Sequence, residues 1–134
     1  MTRWTGWLAV LLVAGAAALP LMTRLLQGKR AHLDAPAIRA HVLMGLAVAA
    51  VAFGHALTVV PALGSPEAIT GGTLALAPGA AAFCVVVAHV GIGLQLRNPR
   101  LRERAKKRRL HLATASTIVI LAAMHVGVLL AQPD

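Results

Sequence analysis

Four apolar stretches, at residues 4–22, 41–60, 76–96 and 110–131, divide the chain, and the polar residues gather between them. Each is close to the ~20 residues that a helix needs to cross a bilayer. The pattern predicts an all-α fold, an integral membrane four-helix bundle forming a single transmembrane domain over residues 1–134. Composition agrees, since 58% of the residues are hydrophobic and Asp34, Glu67, Glu103 and Asp134 are the only acids.

The cations set the orientation. Of 13 Lys and Arg, four (Arg24, Lys29, Arg30, Arg39) lie between the first two spans and eight (Arg97, Arg100, Arg102, Arg104, Lys106, Lys107, Arg108, Arg109) between the last two. Segment 61–75 has none. The positive-inside rule then puts both basic loops in the cytoplasm. Both termini and the middle loop fall on the outer, periplasmic side of a bacterial-type inner membrane, and spans two and four run parallel. A net charge of +9 borders the spans in this way, so it marks topology and no nucleic-acid partner is expected. The first span has an arginine, an apolar run and an Ala-rich end, as a secretory leader does. Cleavage would invert the charge pattern, so it is read as a retained helix with Trp4 and Trp7 in the outer interfacial belt.

Within this frame His41/His55 and His111/His125 repeat one spacing of 14 residues in spans two and four. At 1.5 Å rise per residue the members of a pair lie on one helix face, about 21 Å apart along the axis. His41 follows Arg39 by two residues and His111 follows Arg109 by two, so parallel helices bring the pairs to equal depths. A shift of 70 residues superposes both pairs, the first span on the third and one basic loop on the other, as two repeated helical hairpins would.

Facing histidine couples at two depths suit axial ligation of two haems, His41 with His111 on the cytoplasmic side and His55 with His125 on the outer side. Two imidazoles per iron fill both axial positions, leave no open site, and so favour electron transfer. Unpaired polar side chains are costly in hydrocarbon, which makes four matched histidines a functional signal. Small residues in all four spans, among them Gly15, Gly45, Gly54, Gly91, Gly93 and Gly127, allow close approach of a flat macrocycle or of neighbouring helices. Arg39 and Arg109, with Arg24 and Lys107, are the candidate partners of the cytoplasmic propionates. The outer level offers Arg3, Thr58, Ser65 and Gln132. His89 falls between the levels without a counterpart in the repeat, suited to a helix-to-helix hydrogen bond, a quinone pocket, a proton path or alternative ligation. Phe53 is expected between the levels or against lipid, and His32 in solvent. The lone Cys84 rules out an intrachain disulfide and a thiolate cluster.

The paired H-x(13)-H helices resemble those of the cytochrome b superfamily, and a similar ladder occurs in ferric-reductase and NADPH-oxidase membrane domains. The resemblance covers spans two and four, and it implies two low-spin haem b groups held by His41 with His111 and by His55 with His125. It implies electron transfer across the membrane. The chain departs from those families in having no glycine-rich dinucleotide fingerprint and no set of thiolates. The expectation is thus an electron-transfer subunit or relay rather than a complete enzyme. Its partners would be membrane lipid, redox proteins and quinone at a shared interface, within a complex or homo-oligomer. Two other classes fit the composition: a haem-free transporter or proton-relay protein built on the same histidines, and a structural subunit of a membrane complex.

Overall fold

The computed structural model describes residues 2–28, 32–60 and 72–131. Four helices make up nearly all of this: α1 (Thr2–Gln27), α2 (Pro36–Val59), α3 (Gly72–Leu96) and α4 (Arg104–Leu130). Each contains a stretch long and apolar enough to cross a membrane.

The helices overrun the apolar spans. α1 continues to Gln27, α2 starts at Pro36, and α4 starts at Arg104 within the basic run. Leu, Arg, Lys and Gln all favour helix, so the helix outlasts the hydrophobicity that marks its middle. The ends have local causes. Gly28 takes φ +65° and returns its N–H to the Arg24 carbonyl at 3.0 Å, closing α1 with a left-handed residue. Pro36 opens α2 at a position where no N–H is needed. The Arg104 guanidinium donates to the carbonyls of Leu96, the last residue of α3, and of Asn98 in the turn, fixing the turn into α4. In the other basic turn His32 and Asp34 are exposed and 3.4 Å apart.

α1 packs along α2 and α3 along α4, while α2 and α3 touch less and α1 and α4 less still. The bundle is thus two helical hairpins, with α2 and α4 on a diagonal. Its apolar surface is turned outward: Leu11 and Leu43 are each 68% exposed and Ile120 is 59% exposed. Among the described residues no polar or charged side chain is buried. Water-soluble bundles do the opposite, placing an apolar stripe inward and charge outward. The buried centre is small. Val48 of α2, Val86 of α3 and Ile118 of α4 form it, with Leu12 and Val13 of α1 against them.

The register of that centre matters for the site. Val48 lies seven residues from both His41 and His55, and Ile118 seven from both His111 and His125. Seven residues are about two helical turns, so these side chains share a face with the histidines. A Val/Val/Ile layer therefore separates the two histidine levels.

Candidate functional site

Histidines from α2 and α4 meet across the bundle diagonal at the basic end. The rings of His41 and His111 have centroids 6.1 Å apart and planes at 88°. At the other end His55 and His125 lie within electrostatic reach of one another. The parallel run of α2 and α4 thus brings His41 against His111 and sets His55 and His125 at the same end of the bundle.

What holds each ring differs, and the sequence shows why. Pro20 sits inside α1 and has no N–H, so the carbonyl four residues before it, that of Ala16, loses its intrahelical partner. His41 takes it, donating Nδ1–H to the Ala16 oxygen at 2.9 Å. A carbonyl only accepts, so the proton belongs on Nδ1 and the lone pair of neutral His41 on Nε2. Histidine ligands of metals are oriented in this manner, by a backbone carbonyl on the other ring nitrogen. Returning an N–H to residue 20 sets up a competitor for that carbonyl. Where this level holds a metal or haem, Pro20→Ala should weaken its binding about 10-fold or more, measured by retention on titration with a competing binder.

His55 is placed by α1 as well: its Nδ1 is 2.9 Å from the Thr5 hydroxyl, and its ring lies over Gly6, where a methyl would come within 3.5 Å of Cε1. On the other hairpin α3 supplies glycines. A Cβ on Gly79 would stand 2.9 Å from His125 Cε1 and Nδ1, and one on Gly93 would stand 3.2 Å from His111 Cε1. Gly79 and Gly93 are themselves 14 residues apart, the same interval as the histidines they face on the antiparallel helix. That match is present in the sequence and points to both residues, whereas small size alone does not set them apart from the other glycines.

His89 does not lie apart between the levels. It joins the basic-end couple, stacked on His111 at 3.9 Å with 13° between the planes. The helix-to-helix hydrogen bond expected of it is present, from α3 to the Thr114 hydroxyl of α4 at 2.8 Å. The Nδ1 atom of His111 is buried with no hydrogen-bond partner among the described residues.

The outlying candidates fall as follows. Arg39 and Arg109 are exposed at the basic end, two residues from His41 and His111. Arg109 lines, with Ala105, Arg108 and Leu112, an open cavity of 340 Å³. The Thr58 hydroxyl donates to its own helix at His55, 2.7 Å away, and is not available to an outside anion while it does so. The Arg3 side chain, Ser65 and Gln132 lie outside the described residues. Phe53 stacks on Phe83 at 6.3 Å and is 55% exposed, on the outside of the α2–α3 seam. Gly15 meets Met44 Sδ, whereas an added methyl at Gly45, Gly54, Gly91 or Gly127 would meet nothing within 4 Å.

Compared with family models, curated proteins and solved structures, the chain matches none. What its histidines can do is therefore argued from their chemistry. Among the described residues no group of three or more His, Cys, Asp or Glu side chains is arranged to hold a metal ion. Zinc and similar ions take three or four protein ligands, so the couples suit a metal that brings its own equatorial ligands. Haem iron does so and needs two axial groups. Two metal–nitrogen bonds of about 2 Å, with the half-widths of two imidazoles, amount to about 6 Å between centroids. The 6.1 Å between His41 and His111 agrees with that span.

Proposed function

We propose that the chain is a di-haem membrane cytochrome of the cytochrome b type. His41 and His111 would hold one haem b and His55 and His125 the other. The haems supply reversible one-electron chemistry when bound; the protein supplies four imidazoles, their orientation and an apolar surround. The observation that carries this reading is the meeting of His41 of α2 with His111 of α4 in one apolar bundle, with His55 and His125 of the same two helices at the other end and within electrostatic reach of one another.

The four helices span the membrane in this reading. The basic loops face the cytoplasm, and both termini face the periplasm of a bacterial-type inner membrane, because 12 of the 13 cations lie between apolar spans one and two or three and four. Arg39 and Arg109 would hold the propionates of the cytoplasmic haem. The chain is an electron-transfer subunit, or a homo-oligomer, working with redox proteins or quinone at a shared interface and with membrane lipid around it.

A haem-free proton relay is the second reading, favoured by the contact of three imidazoles, His41, His111 and His89, at the basic end. The Val48, Val86 and Ile118 layer weighs against it. Protons need a chain of hydrogen-bonding groups, whereas electrons tunnel through packed apolar side chains. Vesicles containing the protein, with ferricyanide trapped inside and dithionite added outside, separate the two. The cytochrome bleaches the internal ferricyanide faster than protein-free vesicles do. Proton flux without bleaching would establish the relay.

A further inference from the structure

We infer that His89 is a positioning residue that fixes the ring plane of His111, so that the two histidine couples are built unequally. The redox consequence rests on the haem reading above; the contact itself does not. Stacking at 3.9 Å and 13° occupies one face of the His111 ring, whereas its two nitrogens lie in the ring plane, away from that face. The ring is gripped from one helix. His89 and Gly93 are four residues apart on α3, one turn of the helix, and Gly93 brings the α3 backbone against His111 Cε1.

His89 is in turn locked. The Thr114 hydroxyl is within donating distance of the carbonyls of His111 at 3.0 Å and Leu110 at 3.1 Å. With its only proton directed there, Thr114 accepts from His89 Nδ1–H at 2.8 Å. The lock is therefore tied to the backbone of the residue whose ring it orients. With His41 tethered to the Ala16 carbonyl, both rings of this couple are held, and their planes stand at 88°. At the other end the residue four before Gly79 is Ala75 in the sequence, so α3 has no second imidazole to offer His125.

The test uses the full chain as purified, unmodified and as His89→Ala, His89→Phe and Thr114→Val. If it carries haem, the ferric electron paramagnetic resonance signal and the midpoint potential of each haem are read. His89→Ala shifts both quantities for the haem that His41→Ala removes, and leaves the other haem unchanged. His89→Phe, which keeps a flat ring, restores most of the signal, and Thr114→Val gives a smaller shift in the same direction. No shift, or equal shifts at both haems, overturns the inference while leaving the cytochrome standing. If the purified chain carries no haem, the cytochrome reading falls, and the contact is read by nuclear magnetic resonance. The His111 Hε1 line is then displaced upfield by the stacked ring, displaced less in His89→Ala and restored in His89→Phe. A line indifferent to His89→Ala overturns the inference.

Discussion

Replacing His55 with alanine is expected to remove one haem of two and leave the other in place, and His125→Ala to give the same result. Each couple takes one residue from α2 and one from α4, so either loss abolishes the same site. The levels are about 21 Å apart along the helices. With the Val48, Val86 and Ile118 layer between them, effects at one level should not reach the other. The double variant His55→Ala/His125→Ala then behaves as either single one, whereas His41→Ala/His125→Ala loses both haems. The two ends differ in one respect. His41→Ala also strands the Ala16 carbonyl that Pro20 leaves without a helix partner, an added cost of about 1–3 kcal/mol. Haem extracted per chain, with circular dichroism to verify helicity, reads each outcome. Equal loss of both haems from any single change would contradict the assignment of one couple to each level.

The second large effect is expected at Gly79. Its missing side chain makes room for His125, and a Cβ there would lie 2.9 Å from two ring atoms. Either the imidazole turns or α3 shifts, at about 1–3 kcal/mol for overpacking. Gly79→Ala should thus lower the melting temperature in detergent and release the haem at that end. Gly93→Ala, at 3.2 Å from His111, should do less, and Gly6→Ala, at 3.5 Å from His55, should be near neutral. Gly127→Ala meets nothing and gains helix propensity, so it serves as the control. The ranking Gly79, Gly93, Gly6 tests whether α3 cradles the α4 histidines more tightly than α1 cradles those of α2. A reversed order would contradict the cradle.

Helix number, the apolar cores of the helices and the pairing of His41 with His111 were readable from sequence, because hydropathy and a 14-residue interval depend on one helix at a time. Helix ends were less so, since charged residues such as Arg104 to Arg109 continue a helix that hydropathy no longer marks. The contacts of His89 depend on how α3 is rotated against α4, which no single helix encodes. Pro20 was a legible signal of another kind. A proline inside an apolar helix frees a carbonyl, and Ala16 is one turn before it, on the helix that packs against His41. The two hairpins share an arrangement but hold their histidines by unlike means. α1 uses a bare carbonyl and Thr5, α3 uses glycines and a stacked imidazole.

The central claim, that the two couples ligate haem, is tested most directly by a dithionite-reduced minus air-oxidised optical spectrum of the purified protein, with haem counted per chain. Low-spin b-type bands with two haems per chain are the predicted result. A flat spectrum from protein that retains its helices would contradict it.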